Sequence, residues 1–528
     1  MEERYIASID LGTSKLGLCV ARVKGDDVQV VYYKETPSDG IRGSVVANPM
    51  KASAPLRKAI QEAEDELMIK ILQVVVGMPR SDVRQETATG GIDRTNPDEY
   101  ITEEEVENLK GMALESYPLD DEASQIMYGA VAQSFSIDDQ IQLVESDVVG
   151  TLSKNLKGNF KVFIGSRRAT TAVDKIFNSM GIAIAKKYFL PDVVAKTVLT
   201  EEDRQSGVAL VDIGAGVTSV AIYQGGIMRS YVAIPFGGKT ITGDIRTECS
   251  ISENLAEKIK LKFGACMPGK LASLSEKVLQ IRLTEPYKEV TVKYISEIID
   301  ARAREIINAV LYYIQDSGLE NNLRGGIVLT GGGASLVNFA NLFKEMSGYE
   351  VRIGFPRHLF SASVGAGVYN PSAAAAIGMV LAAKDDRMPD CVTRPEPAWA
   401  DAPEAETVEE TDDSAEQEEG DSGFYVPSSE DTDYEKGETG TLIPKEEYGS
   451  GEEPGNAGNP ERPEEPGKPE QPVKPKKEKK VKTRKPADST PKIQWIKGKF
   501  KGISEKFKNG VLDFYDEMTR EEDANDNQ

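Results

Sequence analysis

The pattern of apolar and polar positions repeats one motif at two places far apart in the chain. The first is Ile9–Lys15, which leads into an apolar run ending at Val23, and the second is Val211–Thr218, which leads into a run ending at Tyr223. Each passes through an acidic residue and glycine, which predicts strand, tight turn and strand. Either hairpin alone is typical of ordinary Asp-Gly turns, whereas the pair favours a shared role.

Around the first motif, the pattern predicts an α/β chain with one insertion. A helix is expected around Ala54–Leu67 and a buried strand over Ile71–Met78, whereas residues 84–167 interrupt this alternation. Within the interruption, Thr102–Glu105 has the spacing of a helix capping box, and later apolar runs, such as Lys161–Ile164, predict strands. We therefore expect a small inserted α+β subdomain; a plain surface insertion is the alternative.

The second half of the ordered pattern predicts helices around a glycine loop. Residues 246–300 are expected to be mostly helical, and Gly325–Ser335 predicts a buried strand that runs into glycines. A helical stretch is expected over Leu336–Met346 and a helix of small residues over Ser372–Leu381. The apolar run Ala373–Ala383 is too short to span a bilayer and predicts a core helix.

Near the end of the chain, apolar residues recur at steps of three and four, which predicts a helix over 492–518 with one apolar face. Lysines occupy its other sides, and such a basic amphipathic helix is typical of a membrane interface. A coiled-coil seam or a calmodulin-type target helix is the competing interpretation. The residues expected to enter the membrane surface are Trp495, Ile496, Phe500, Ile503, Phe507, Val511 and Phe514.

Composition and charge predict a different kind of segment after residue 385. The 528 residues carry a net charge of −23, but residues 401–470 hold 24 acidic and 4 basic side chains, and residues 471–508 hold 14 basic and 3 acidic ones. A segment so polar cannot bury enough apolar surface to fold, so a disordered linker is expected. The basic run attracts anionic lipid; nucleic acid is not expected, because the run lacks aromatic side chains for base stacking.

The few cysteines and the single histidine limit the disulfides and metal sites that the chain can form. The four cysteines show no C-x-x-C spacing, which favours a reducing cytoplasm over a disulfide framework. The single histidine, His358, excludes histidine-rich zinc sites. The first residues run directly into a predicted strand, so no signal peptide is expected.

The two hairpin turns have the composition of a phosphate clamp. Glycine lets the main chain approach a ligand closely, and successive N–H groups form a nest for anionic oxygens. Asp10 and Asp212 would position Mg²⁺ and its water between the turns, since Mg²⁺ keeps several waters and needs few protein ligands. The residues expected to contact phosphate are Gly12, Thr13, Ser14, Lys15, Gly214, Ala215, Gly216 and Thr218.

A third glycine run adds a place for a flat base. Gly331, Gly332 and Gly333 follow a buried strand, and an aromatic base can lie on a backbone without side chains. A bare strand-to-helix turn is the alternative. The chain has no Walker sequence, and no G-x-G-x-x-G follows the first strand, so neither a P-loop nor a dinucleotide fold is supported.

These motifs, in this order, resemble the phosphate and adenosine motifs of the actin, Hsp70 and sugar-kinase superfamily. Further segments resemble the FtsA family of bacterial cell-division proteins; they include Leu190–Ala195, Leu199–Glu202, Ile234–Gly238, Ala256–Lys260 and Val351–Gly354. The resemblance implies an α/β, actin-like two-lobed ATPase fold of duplicated ribonuclease-H-like domains, with ATP and Mg²⁺ as cofactors. It also implies that Glu257 and Lys260 hold ribose and adenine; a surface ion pair is the alternative.

The expected organisation combines these patterns with the resemblance. The bounds are 1–83 with 168–192 and about 360–385 for the first lobe, 84–167 for the inserted subdomain, 193–359 for the second lobe with a helical subdomain at 246–300, 386–491 for the linker and 492–518 for the amphipathic helix.

The resemblance implies a cell-division function at the inner face of the cytoplasmic membrane. Such a protein binds the C-terminal peptide of FtsZ and so tethers it. It also forms filaments with itself, recruits later division proteins at the septum, and binds ATP with slow turnover. A pilus-type actin-like adaptor is the alternative, followed by a carbohydrate kinase of the same superfamily. A chaperone of the Hsp70 type is disfavoured because the linker leaves no room for a substrate-binding domain.

Overall fold

The structure is a computed structural model that describes residues 3–138, 141–272, 276–281 and 288–394. The predicted amphipathic helix at 492–518, with all its expected membrane-contacting residues, lies outside the described residues. So does the predicted linker from residue 395 onward. No helix in the described part of the chain is both long and apolar enough to cross a bilayer.

The chain begins with a three-stranded antiparallel meander, and the first predicted hairpin is confirmed. Asp10 pairs with Gly17 across it. A helix follows, whose start is capped by the Asn48 side chain accepting from the Lys51 N–H. The elements are β1 (Arg4–Leu11), β2 (Lys15–Lys24), β3 (Asp27–Pro37), β4 (Ile41–Arg42), β5 (Val45–Val46), α1 (Pro49–Leu67), β6 (Lys70–Ile71) and β7 (Gln73–Gly77).

Residues 84–166 form a four-stranded antiparallel sheet of strand order β10-β9-β11-β8 with a helix against it. The predicted capping box is present, because the side chains of Thr102 and Glu105 each accept from the other residue's N–H. Phe135 and Phe160 meet edge to face inside this sheet's own core. The elements are β8 (Arg84–Asp93), α2 (Glu103–Glu115), β9 (Gln125–Ile137), β10 (Ile141–Leu143), α3 (Glu145–Val148) and β11 (Asn155–Ser166).

The chain then completes the first sheet and starts a second one. Asp212 pairs with Ser219 across the second predicted hairpin, which is also confirmed. The two helices Leu190–Val198 and Glu201–Ser206 connect the last strand of this passage in the first sheet to the first strand of the second sheet. The elements are α4 (Arg167–Asn178), β12 (Ala183–Tyr188), α5 (Leu190–Val198), α6 (Glu201–Ser206), β13 (Val208–Ile213), β14 (Thr218–Gln224) and β15 (Ile227–Ile234).

The remaining elements form a mainly helical region and close both sheets. They are α7 (Gly238–Cys249), α8 (Glu253–Phe263), β16 (Val278–Ile281), β17 (Lys288–Thr291), α9 (Val292–Asp316), β18 (Ile327–Thr330), α10 (Phe339–Ser347), β19 (Val351–Ile353), β20 (Ser361–Ala362), α11 (Ala374–Asp385) and β21 (Val392–Thr393).

The two large sheets repeat one topology. The first has the order β12-β7-β1-β2-β3-β20, and the second has the order β19-β18-β13-β14-β15. In each, the first strand pairs antiparallel with the next strand of its meander and parallel with a later strand. The Asp10 and Asp212 hairpins therefore occupy equivalent places in two copies of one architecture.

Two helices link the sheets through a shared core. Helix α5 packs against α11, and α11 is buried along nearly its whole length because its residues are mostly small and apolar. Their core cluster includes Ile6 and Val75 of the first sheet and Leu210 and Val328 of the second. The prediction of a buried core helix after Ser372 is confirmed.

The first residues assigned to the linker are instead folded. Cys391 is buried, and its N–H donates to the Tyr5 carbonyl oxygen at 2.8 Å. Val392 then pairs with Ile71, so β21 extends the chain onto the edge strand β6. The composition of residues 386–394 is polar enough to look like linker, but its few apolar side chains find partners far away in sequence.

Candidate functional site

The first hairpin turn is held largely by hydroxyl and main-chain contacts within its own lobe. The Thr13 hydroxyl accepts a hydrogen bond from the Ser44 N–H at 3.0 Å. The Ser14 carbonyl accepts from the Ser38 N–H at 3.1 Å. The predicted turn residues Gly12–Lys15 therefore lie against the loop that leads into α1.

The second hairpin turn is held by main-chain hydrogen bonds alone among its described contacts with the start of α7. The Gly214 N–H closes the turn on the Val217 carbonyl at 2.9 Å, and the Gly214 carbonyl accepts from the Gly238 N–H at 2.9 Å. The Ala215 carbonyl accepts from the Lys239 N–H at 2.7 Å. This turn is therefore fixed to the N-terminus of a long helix.

The two turns face each other at close range. A Cβ added at Gly216 would lie 2.6 Å from the Thr13 hydroxyl oxygen and 3.1 Å from the Gly43 nitrogen. No side chain fits there, so glycine is required for the approach of one turn to the other. The expectation that the two motifs lie on opposite walls of one crevice agrees with this contact.

A guanidinium lies between the two acidic residues of the motifs. Arg80 donates from Nη1 to Asp212 Oδ2 at 2.9 Å, and its Nη2 lies 3.5 Å from Asp10 Oδ1. All three side chains are largely buried. Asp10 and Asp212 are thus brought together as the sequence predicts, but through a basic residue that the sequence motifs did not single out.

The buried setting changes the acid–base behaviour of this cluster. Burial raises the pKa of Asp10 above its ordinary value; Arg80 opposes the shift and Asp212 adds to it. Burial disfavours the charged form of Arg80, but Asp212 and Asp10 more than offset this and raise its pKa. Arg80 is therefore a permanent cation, and Asp10 takes up a proton more readily than an exposed aspartate.

The third glycine run reaches the same cluster from the second sheet. Gly331 has a positive φ of 79°, and a Cβ there would lie 2.3 Å from Asp212 Oδ1. Both the conformation and the space require glycine. Gly332 and Gly333 belong to the short 3-10 turn Gly332–Ser335 that follows β18.

The predicted pair Glu257 and Lys260 lies one step beyond the second turn. Lys260 Nζ is 2.8 Å from Glu257 Oε2 and donates to the Gly238 carbonyl at 2.9 Å. It also donates to the Thr242 hydroxyl at 2.9 Å, and that hydroxyl donates to Glu257. The pair is therefore part of a network on the start of α7 and is more than a surface ion pair.

Two predicted phosphate ligands point elsewhere in this structure. Lys15 Nζ is paired with Glu35 Oε1 at 2.6 Å, and Glu35 also accepts from Ser372 at 2.8 Å. Thr218 is fully buried and donates to the Phe236 carbonyl at 2.9 Å. Lys15 lies at the rim beside the glycine turn, whereas Thr218 supports the hairpin from behind.

Sequence reasoning missed Arg80 and Glu35, which complete the charge balance of the site. The available signal for Arg80 was a basic residue three positions after Gly77, the last residue of the buried strand β7. The end of a parallel strand is a usual place for ligand-binding residues. Arg80 is positioned from both lobes, since its N–H donates to the Ser44 hydroxyl and its carbonyl accepts from the Tyr231 hydroxyl at 2.9 Å.

The residues around Arg80 do not fit a magnesium ion as they stand. Asp10 and Asp212 already share one guanidinium, and a hydrated Mg²⁺ between them would have to take its place. The described parts of the chain contain no group of three or more His, Cys, Asp or Glu side chains that could hold a metal. The cation between the two aspartates comes from the protein itself.

Comparison with known proteins shows a similarity to one group of cell-division proteins. The family model described as cell division protein FtsA matches residues 209–378. FtsA proteins of Borreliella burgdorferi and Neisseria meningitidis are each 29% identical to this chain, over 72% of it and 91% of their own length. The chain is similar to FtsA cell-division proteins over most of their length. The matched region of the family model contains the second hairpin, Lys260 and the third glycine run.

A solved structure shows the same fold. A chain of a PilM-PilN type IV pilus biogenesis complex superposes with a TM-score of 0.51 at 16% identity, covering 71% of this chain and 98% of the other. The predicted actin-like fold is confirmed. A likeness at this identity concerns architecture alone, so the similarity to FtsA proteins rests on the sequence relatives.

Proposed function

We propose that this chain is a member of the FtsA family, an actin-like ATP-binding protein that tethers FtsZ polymers to the inner face of the cytoplasmic membrane at the division septum. The observation that carries the proposal is the convergence of three glycine motifs on Asp10 and Asp212. Asp10 and Asp212 belong to the first and second motifs, whose turns meet at Thr13 and Gly216, and Gly331 of the third motif lies against Asp212.

The nucleotide would be held by groups that this convergence brings together. The turns at Gly12–Lys15 and Gly214–Gly216 supply N–H groups for phosphate oxygens. Gly331–Gly333 offer a backbone surface without side chains, and Lys260 with Glu257 supplies a donor and an acceptor at the start of α7. We infer binding with slow turnover, in which Asp10 and Asp212 orient an attacking water.

Membrane attachment would come from the segment at 492–518. One basic amphipathic helix binds a lipid surface weakly and reversibly. When subunits assemble into filaments, each further helix binds at a high effective concentration, so attachment strengthens without any new contact. Filament formation, FtsZ tethering and recruitment of later division proteins would then be coupled, and the linker would let FtsZ polymers lie at a distance from the lipid.

One flotation experiment tests the tethering function. Purified FtsZ polymers are mixed with anionic vesicles and with the full chain, or with the chain lacking 492–518, in the presence of ATP. We expect FtsZ to float with the vesicles only with the full chain, while the truncated chain still binds ATP and the FtsZ C-terminal peptide. Neutral vesicles are the control, since the polybasic run needs anionic lipid.

The result separates the proposal from the pilus-type alternative. A pilus-type adaptor shares the fold but has no reason to bring FtsZ to lipid. If FtsZ remains unbound while the chain itself floats, the tethering role is refuted and the anchor is used for another partner. Flotation of FtsZ with the truncated chain would refute the role of the helix.

A further inference from the structure

Residues of both lobes hold Arg80 in one position. Its side chain is 14% exposed, lies in the crevice between the two lobes, and contacts one aspartate from each. Its main chain is fixed by the Ser44 hydroxyl on one side and by the Tyr231 hydroxyl on the other. The guanidinium is thus held where the turns Gly12–Lys15 and Gly214–Gly216 meet.

Two facing carboxylates in a poorly solvated place require a cation. A magnesium ion would meet this need with nearly octahedral geometry and several retained waters. Here Arg80 meets it without an ion, and a guanidinium cannot lose its proton in a protein. An incoming Mg²⁺ would have to expel Arg80 from its pair with Asp212 and leave a buried charge without its partners.

We propose that Arg80 replaces the divalent cation, so that this chain binds the phosphates of an adenine nucleotide through the guanidinium with little dependence on Mg²⁺. The inference rests on the proposed nucleotide binding. A guanidinium presents a rigid fork of N–H donors that matches phosphate oxygens, whereas ammonium groups act as point charges. The structure records ion pairs from both terminal nitrogens of Arg80 to the two aspartates. A guanidinium has five N–H donors, so it can also bind a phosphate oxygen while it remains the cation for both carboxylates.

A different role for Arg80 is a latch. In that case the guanidinium holds the lobes together until a magnesium nucleotide displaces it, and binding would depend fully on the metal. The two roles predict opposite effects of removing Arg80. If Arg80 is a latch, its removal strengthens the binding of Mg-nucleotide. If Arg80 is a phosphate ligand, its removal weakens the binding of metal-free nucleotide.

The test is calorimetry of ATP binding to the full chain, once in MgCl₂ and once in EDTA. For the wild type we expect the affinity to change by less than about threefold between the two conditions. Arg80→Gln is expected to lose about tenfold or more in EDTA, the range of one charge-assisted hydrogen bond, and to recover in MgCl₂ because the freed carboxylates accept the metal.

Two further variants keep the result interpretable. Arg80→Lys retains the buried positive charge but not the fork, so its affinity for ATP in EDTA should be below that of the wild type and above that of Arg80→Gln. It also provides the comparison with the wild type if Arg80→Gln folds poorly. Arg84→Gln removes a nearby arginine that pairs with Asp120 at the surface, and it should behave as the wild type. Thermal melts of each variant show whether it is folded.

Each outcome decides a separate point. Binding by the wild type that is lost in EDTA, together with tighter Mg-ATP binding by Arg80→Gln, overturns the inference, favours the latch and leaves the proposed function intact. Absence of adenine-nucleotide binding by the folded wild type in both conditions overturns the proposed nucleotide binding, and the inference with it.

Discussion

The two hairpins occupy equivalent places in sheets of the same strand order, yet they are secured differently. The first uses side chains, through the Thr13 hydroxyl and through Lys15, whose partner Glu35 also binds Ser372, in addition to one main-chain bond from Ser38 to Ser14. The turn of the second is held on the start of α7 by main-chain bonds to Gly214 and Ala215, and its one described side-chain support is the buried Thr218 hydroxyl behind the hairpin. A side-chain contact can be exchanged for a ligand contact by a rotamer change, whereas a main-chain bond moves only with its helix.

The difference suggests a division of labour within a duplicated fold. The second hairpin forms the fixed wall of the crevice, because its main-chain bonds move only with α7. The first hairpin forms the adjustable wall, because its Lys15 side chain can leave Glu35. The acidic residues follow the same asymmetry, because Arg80 is 2.9 Å from Asp212 but 3.5 Å from Asp10. Three substitutions measure this contrast.

The largest effect is expected from Gly237→Ala, which disturbs the fixed wall. A Cβ at Gly237 would lie 2.3 Å from the Gly214 carbonyl oxygen and 3.1 Å from that of Ala215. Because both atoms belong to main chain that cannot move aside, we expect a loss of about 3 kcal/mol in the free energy of unfolding. Urea titration followed by circular dichroism measures it.

The matched control lies six residues further along, inside α7. A Cβ at Gly243 meets nothing within 4 Å, and the residue is helical, so Gly243→Ala should be neutral or stabilising by up to about 1 kcal/mol. If Gly237→Ala costs no more than this control, the second hairpin yields easily and the contrast between the two walls is wrong.

A smaller loss is expected from Asp212→Asn. Asp212 holds Arg80 at 2.9 Å in a largely buried position, so removing its charge leaves Arg80 with the more distant Asp10. We expect about 2 kcal/mol of destabilisation, the usual value of a hydrogen bond to a charged group, measured by the same titration. Asp120→Asn, which affects an exposed pair with Arg84, should leave the transition unchanged. An equal effect of the two substitutions would mean that the Arg80 pair contributes no more than a surface one.

The features that could be predicted from the sequence are those set by local periodicity. Both hairpins, the capping box at Thr102 and the buried helix α11 follow from patterns within a few residues, because the side-chain periods of strand and helix are fixed. The pairing of Glu257 with Lys260 follows from helix geometry in the same way.

The features that could not be predicted depend on contacts between distant segments. Arg80 is 70 residues from Asp10 and 132 from Asp212, and only the closure of two lobes brings the three together. The same holds for Cys391, whose folded position comes from a hydrogen bond to Tyr5 at the other end of the described chain. Local composition contains no information about such partners.

The smallest effect, and the one with a distinctive pH dependence, is expected from Asp10→Asn. Burial is the largest cause of the raised pKa of Asp10, Arg80 opposes it, Asp212 adds to it, and Lys15 and Glu35 act weakly in opposite directions. Because the folded state then binds the proton more tightly than the unfolded chain, ionised Asp10 lowers stability at neutral pH. This penalty disappears as the pH falls through the raised pKa toward the ordinary value of 3.8.

Asp10→Asn should therefore unfold at a higher temperature than the wild type at pH 7, and the two melting curves should converge as the pH approaches 4. Differential scanning calorimetry at several pH values measures the difference. Asp212→Asn supplies the contrast, since it should lower the melting temperature at pH 7. If Asp10→Asn is instead destabilised at pH 7 as much as Asp212→Asn, the two aspartates bind Arg80 equally and the asymmetry between the hairpins does not extend to their charges.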